Sequence, residues 1–337
     1  MKKLKLWIKY VLLGKKQEKI GLSNRILALK KGFSSDFFKM YDLNKENIDD
    51  YISEYSRYLS REINGRYKIV LDDKIIFTEV FGKYVNVPKI IMYNIGNIYS
   101  NEGKKINKDE VIKILEGKKS ILKPINDGGG HGIHIIESKK DKFYIDYKEV
   151  TKDNVYNLIS NSTDCIVNEY ISQAKYSSNI FDKTVNTLRI ITIKDPKTGE
   201  ITIPCAVHRF GNNKTNGVDN ASSGGFITEI DIASGKLGYT KKLSDLTPLE
   251  KHPDTNSQIK DIKVPNWDYI TSEIKKVAQK FPYLKFIAWD VVVADDCNFF
   301  VLEANASSSL ELFQIFKPLK NTKLWDFYKY YNIVKNR

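Results

Sequence analysis

The sequence predicts an α+β fold, and three observations carry the prediction. Helical periodicity dominates the first sixty or so residues. Two tracts of short β segments follow, separated by helices of about ten residues. The second tract ends in a hairpin whose polar face holds two carboxylates. At 337 residues, with 42% hydrophobic and 28% charged, the chain is long enough to bury two or three cores and has the composition of an ordinary soluble domain. No run approaches the roughly 18 apolar residues that would span a membrane.

The N-terminus is basic, but Lys5 and Lys9 interrupt what would be the apolar stretch of a signal peptide, so a cytoplasmic location is expected. As a helix it gathers Leu4, Ile8, Val11 and Leu12 near one side, with lysines elsewhere. Such a helix either packs on the protein body or lies peripherally on the anionic inner face of a membrane. From about residue 34 to 66, Ile48, Tyr51, Ile52, Tyr55, Tyr58 and Leu59 recur at three- and four-residue steps, which makes 1–66 an N-terminal helical region. After Asn64-Gly65 the pattern predicts a strand over Tyr67–Leu71 and a short helix over Lys74–Gly82. Pro88 makes Val85–Met92 an edge or irregular strand, and Asn107–Leu115 is a helix stopped by Gly117, closing a segment 67–116. Short strands at Ser120–Pro124, Gly132–Ile136, Lys142–Asp146 and Cys165–Val167, with a helix at Lys152–Ser160, form a small α+β unit, 117–173. Longer strands at Leu188–Lys194, Ile201–Phe210 and Phe226–Asp231, a helix at Trp267–Phe281 and the hairpin make a larger unit, 174–337. Cys165, Cys205 and Cys297 are far apart and lack metal-ligand spacing, as reduced cytosolic thiols do.

In the hairpin, pairing Ala294 with Phe299 across Asp295–Asn298 sets Asp290 opposite Glu303, and the two-residue period brings Asn305 to the same face. Trp289, Val291, Leu302 and Ala304 alternate with them as an apolar face. Like charges paired across strands repel, so something cationic should sit between the carboxylates. Two carboxylates and an amide oxygen make a hard, incomplete shell that suits Mg²⁺ completed by water and phosphates.

A second signal is Lys123 on a strand leading into Asp127, Gly128, Gly129, Gly130, His131 and Gly132. Four glycines in five positions exceed what a tight turn needs and leave backbone N–H groups free to approach phosphate, with Lys123 as a point charge. No helix with Gly-Lys-Ser/Thr follows, which excludes a Walker loop. Further on, an apolar strand runs into a polar elbow, Asn168-Glu169-Tyr170-Ile171, able to meet a nucleobase edge or a ribose. Arg189 projects from the strand Asn186-Thr187-Leu188-Arg189, and Arg209 from the next, where burial demands anionic partners. The polar loop Asp219-Asn220-Ala221-Ser222-Ser223-Gly224-Gly225 has donors enough to hold a phosphate or acyl group. The net charge of +13 fits a nucleotide or another anionic substrate; the lysines are scattered, and no stacking motif points to nucleic acid.

In this order the motifs resemble an ATP-grasp ligase, and are most similar to the sugar-transfer-associated ATP-grasp proteins encoded with polysaccharide (capsule) biosynthesis enzymes. The resemblance runs over roughly 67–320 and leaves the N-terminal helices outside. It implies ATP clamped between two α+β lobes, with Mg²⁺ on Asp290, Glu303 and Asn305. It implies phosphates held by Lys123, by the flap 127–132 and by a second lysine, for which Lys74 is the best match and Lys83 stays open. The nucleoside would meet Asn168, Glu169, Tyr170 and Ile171, and the transferring group Arg189, Arg209 and Asn220. The activity implied is that of a carboxylate–amine ligase acting through an acyl phosphate, with small-molecule or glycan substrates. A sugar kinase on the same scaffold and a non-catalytic anion- or polysaccharide-binding module are the alternatives. No nucleophile elbow is present, and this chemistry needs none.

Overall fold

The computed structural model describes residues 2–14, 18–126, 132–215, 217–295 and 298–334, so Asp127, Gly128, Gly129, Gly130 and His131 of the expected flap lie outside the described residues. Helices α1 (Lys2–Trp7, continued by a π-helical turn Ile8–Leu12), α2 (Leu22–Lys31), α3 (Ser35–Met40) and α4 (Glu54–Ser60) make the N-terminal region. In the first of these, Val11 is buried and the Trp7 indole N–H donates to Leu29 O (3.3 Å), while Leu4, Ile8, Leu12 and Leu13 stay exposed. The helical stretch read over 34–66 is broken at Tyr51–Ser53. Both backbone groups of Ile52 are taken by the Gln314 carboxamide (2.7 and 3.0 Å), and Ser53 restarts the helix by accepting from Ser56 N. Among the described residues no helix is long and apolar enough to cross a membrane.

The strand expected at Tyr67–Leu71 is instead a 3₁₀ turn (Gly65–Lys68) running into α5 (Ile69–Asp72). Ile69 and Tyr67 are exposed and only Leu71 is buried, so the alternation has no sheet to serve. Next comes α6 (Lys74–Phe81), capped by Asp73, whose carboxylate accepts from Ile75 N and Ile76 N.

A seven-stranded antiparallel sheet forms the small lobe. Its strands are β1 (Ile90–Asn94), β2 (Ile98–Ser100), β3 (Lys119–Pro124), β4 (His134–Lys139), β5 (Lys142–Ile145), β6 (Lys148–Val150) and β7 (Cys165–Glu169), in the order β2-β1-β7-β3-β4-β5-β6. Two helices, α7 (Lys108–Leu115) and α8 (Lys152–Asn161), cover one face, each opened by a reciprocal capping box. Pro88 precedes β1 rather than interrupting it, and β2 and β7 flank that strand, so it is not an edge.

The large lobe follows α9 (Lys175–Ser178). It holds β8 (Leu188–Lys194), β9 (Ile201–Phe210), β10 (Phe226–Ile230), β11 (Leu237–Lys242), β12 (Asp245–Leu249), α10 (Trp267–Gln279), β13 (Phe286–Val293), β14 (Phe299–Asn305), α11 (Glu311–Gln314) and α12 (Lys323–Tyr330). Its sheet runs β12-β11-β10-β9-β8-β13-β14. One face, with Leu188, Ile190, Trp289 and Val291, packs on Trp267, Ile270, Ile274 and Val277 of α10. On the other, Ile191, Ile193, Phe286 and Ala288 lie beneath Phe33, Phe38, Ile52 and the C-terminal helices. Arg189, Asp290 and Arg209 continue that second face beyond the helices, onto the cleft between the lobes.

Candidate functional site

The hairpin places Asp290 opposite Glu303 and Ala288 opposite Asn305, as the sequence predicts. The turn differs by one residue: Val293, not Ala294, pairs with Phe299, and the register slips between Asp290 and Val291. Leu302 is the extra residue of this bulge. It therefore leaves the apolar face to which alternation assigned it and lines the cleft, while its carbonyl accepts from Lys123 Nζ (3.3 Å).

Cations do gather at the paired carboxylates, and the nearest are the protein's own. Arg189 grips Asp290 with both prongs of its fork (Nε to Oδ1 2.6 Å, Nη2 to Oδ2 2.9 Å), and Arg209 Nη2 donates to the same Oδ1 (3.1 Å). Burial alone would raise the Asp290 carboxyl; the two guanidiniums outweigh it and hold it below the usual carboxylate range. Arg209 also bonds Thr187 Oγ1 and lies 3.5 Å from Asp219 Oδ2, which itself accepts from Thr187 N and Oγ1 (2.8 and 2.6 Å). The loop that carries Asp219 closes tightly: a Cβ on Gly225 would sit 2.7 Å from Asp219 O. Asn220, next along, lines the cleft and uses its Oδ1 to cap the turn at Ser222 N (3.1 Å).

Across the cleft, Lys74 begins α6 and reaches Glu303 Oε2 (3.4 Å), while the alternative Lys83 is exposed. Burial lowers Lys123 to about 8, partly opposed by the charge of Glu303. At the elbow, Asn168 Nδ2 donates to Pro88 O (3.0 Å) and its buried Oδ1 has no partner. Glu169 accepts from Lys89 N (2.9 Å), and the Tyr170 ring lies 4.0 Å from Lys119 Nζ, with Ile171 beside them on the cleft wall. Gly132, at φ +66°, packs against Pro124. Lys74, Lys123, Asn168, Glu169, Tyr170 and Ile171 border a cleft of about 1150 Å³ together with Arg189, Arg209 and Asp290. Its oxygen donors Asp290, Glu303 and Asn305 stand together, with Asn305 Nδ2 3.5 Å from Asp290 Oδ2. Among the described residues no group of three or more His, Cys, Asp or Glu is placed to hold a metal ion, and both oxygens of Asp290 are taken by arginine, so a hard cation here would depend on Glu303, Asn305 and ligands brought by phosphate and water.

Thr187 and Asp219 were expected only as members of their motifs, and Ser308 not at all. The first two stand in the Asn-Thr-x-Arg and Asp-Asn-x-x-x-Gly-Gly motifs, which signalled them. Ser308, whose Oγ accepts from Arg189 Nη1 (3.1 Å), lies in an Ala306–Ser309 run with no motif. His208, adjacent to Arg209, faces the opposite core against Tyr176 (3.0 Å), and burial lowers it to about 3.

Two antiparallel sheets that face one cleft, with lysines on one wall and an arginine–carboxylate cluster on the other, define the ATP-grasp class. The model of the sugar-transfer associated ATP-grasp family matches residues 54–323, and the chain belongs to that family. The match begins at α4, thirteen residues before the start expected from the motifs, so the last N-terminal helix is part of the family's shared fold. Solved structures similar to the chain include an ADP complex of N5-carboxyaminoimidazole ribonucleotide synthetase (14% identity, TM-score 0.43, 79% of this chain and 53% of that one). Others are the ATP-grasp ligase PsnB with a minimal precursor (14%, 0.39, 75% and 57%) and the L-amino acid ligase from Bacillus licheniformis (8%, 0.38, 71% and 41%). The chain thus spans about half the length of the solved structures it matches. No curated protein matches it.

Proposed function

We propose that the protein is an ATP-dependent, ADP-forming carboxylate–amine ligase acting on a sugar or sugar-linked substrate in surface polysaccharide biosynthesis. The observation that carries this reading is the convergence of Arg189 and Arg209, from adjacent strands, on Asp290 opposite Glu303. Such charges, fixed before substrate arrives, stabilise a transferring phosphoryl group without reorganisation at the moment of reaction.

In this reading Lys74 and Lys123 bind the nucleotide phosphates and Asn168 to Ile171 its base and ribose. Asp290, Glu303 and Asn305 would hold Mg²⁺, which would supply positive charge to offset that of the phosphates. A substrate carboxylate oxygen attacks the γ-phosphorus, and the bond to the bridging oxygen breaks as ADP leaves. Arg189 and Arg209 stabilise the charge that develops, with Asn220 on the rim beside them. An amine then attacks the acyl carbon, the carbon–oxygen bond breaks, inorganic phosphate leaves and a proton is released with the amide. The family's association with sugar transfer favours a uronic acid or amino sugar as the substrate.

The test is product analysis with Mg·ATP, a panel of uronic acids and a panel of amino sugars. A ligase yields ADP, inorganic phosphate and amide in equal amounts. Phosphate retained on the sugar would replace this reading with a kinase, and nucleotide binding without turnover on any of the pairs would favour a binding module.

A further inference from the structure

The cleft does not end at the nucleotide residues. It continues past Ser309 and Leu310 to a second wall made by the N-terminal helices, where Asp36 of α3, Glu54 of α4 and Glu311 of α11 face the same space. We propose that this acidic pocket binds the amine substrate as its ammonium ion; the proposal rests on the ligase reading and names the place and charge of its second substrate.

Glu54 is the observation that points to a ligand. It is 7% exposed, it lines the cleft, and its Oε2 has no hydrogen-bond partner. A buried carboxylate oxygen without a donor is costly, and the group relieves that cost by taking up a proton or by meeting a cation. Three bases, Lys9, Arg57 and Arg61, border the same wall, and none of them is the donor that Oε2 lacks. Arg57 donates instead to Ser308 O (3.2 Å) and Ser309 Oγ (3.1 Å), and its guanidinium stacks on Tyr58 (4.7 Å). Asp36 and Glu311 add negative charge rather than relieving it; burial first, with the charges of Glu311 and Asp36, pushes the Glu54 carboxyl well above its ordinary value, against the backbone hydrogen bonds it accepts at Glu54 and Ser34. Tyr41, also buried nearby, is pushed the same way by burial and then by Glu54 and Glu311.

Position supports the assignment as much as charge does. Ser308 links the two subsites: its Oγ accepts from Arg189 in the phosphoryl cluster and its carbonyl from Arg57 beside the acidic pocket. The ammonium held by Glu54 must give up a proton before it attacks, and the carboxylate that holds it can accept that proton, which leaves a free amine one short segment from the arginines.

The test uses the full chain and three primary amines, glucosamine, ethanolamine and lysine, with N-acetylglucosamine as the uncharged control, all at matched ionic strength. Calorimetry should detect binding of at least one amine, none of the control, and at least a tenfold weaker Kd in Glu54→Gln. Glu311→Gln should weaken the same amine about threefold, and Asp36→Asn carries the comparison if Glu54→Gln does not fold. Absence of amine binding, or equal Kd values in wild type and Glu54→Gln, overturns the pocket. A parallel Mg·ATP titration of the wild type separates the failures. Missing nucleotide binding sinks the ligase reading, whereas intact nucleotide binding with no amine response sinks the acidic pocket alone.

Discussion

Asp290 and Glu54 are two carboxylates buried on walls of one cleft, 2% and 7% exposed, and the fold treats them oppositely. Asp290 stands on an inner strand, next to the edge of a sheet covered on both faces, where two guanidiniums hold it ionised. Glu54 opens a two-turn helix at the rim of the N-terminal region, with Asp36 and Glu311 near it and no donor on Oε2. A paired buried charge is part of the scaffold, and removing its partner leaves an uncompensated ion. One without a counter-ion holds a proton more tightly, or meets a cation that a ligand brings.

The largest effect should therefore come from Asp290→Ala. It strands Arg189 and Arg209 in the interior, and urea denaturation at pH 7 should show a loss of about 3–5 kcal/mol. Simple relief of repulsion between Asp290 and Glu303, the expectation from paired like charges alone, predicts unchanged or increased stability. Because the Asp290 carboxyl is held below its ordinary value, its contribution is fully present above the unfolded aspartate pKa. The gap between variant and wild type should close only as pH falls beneath the usual carboxylate range. A variant as stable as wild type at pH 7 would mean that Asp290 is not the arginines' structural partner.

Arg189→Lys keeps a positive charge beside Asp290 but loses the fork that spans both carboxylate oxygens and reaches Ser308. Turnover should fall on the order of 10²–10³ with little change in ATP affinity, because the strongest contacts form with charge that develops during transfer. A rise in KM for the carboxylate substrate at unchanged kcat would move Arg189 from the phosphoryl group to substrate anchoring.

The contrast between the two carboxylates also marks what the sequence makes legible. The Asp290–Glu303–Asn305 set is a short-range feature of one hairpin, and period-two reasoning reaches it even though the turn is placed one residue off. The bulge at Leu302 absorbs the difference. Arg189 and Arg209 are legible for a similar reason, since a charged residue on an otherwise apolar strand needs an anion. The acidic pocket is not, because Glu54 and Glu311 are 257 positions apart and meet only when both helices pack on the far end of the sheet. The same long-range packing breaks the helix at Ile52, whose backbone is claimed by Gln314. It also turns Tyr67–Leu71 into helix, where local alternation suggested strand.

Lys123 tests the opposite wall. Burial brings it to about 8, so the empty site loses its ammonium as pH rises through that value, while bound phosphates favour the charged form. ATP affinity should be flat below pH 8 and fall by up to about tenfold per pH unit above it. Lys123→Arg, charged throughout, should abolish the slope even if its affinity is lower overall. A wild-type affinity independent of pH between 7 and 9.5 would remove Lys123 from the phosphates.

The smallest effect is expected at Glu54 and has the reverse sign. Its carboxyl is raised in the folded state, so the folded chain binds more protons than the unfolded chain between the ordinary glutamate pKa and the raised one, and stability falls as pH climbs through that window. Glu54→Gln does not titrate and should remove this slope. At pH 8 the variant should be more stable than wild type by about 1 kcal/mol, with the difference shrinking toward pH 4.5. An amine that binds the pocket should close the gap from the other side by stabilising only the wild type. Thermal unfolding of both chains from pH 4.5 to 8, with and without glucosamine, reads all three differences. A variant less stable than wild type at pH 8 would show that Glu54 already has its partner within the fold, and the distinction between a paired and a waiting carboxylate would not hold.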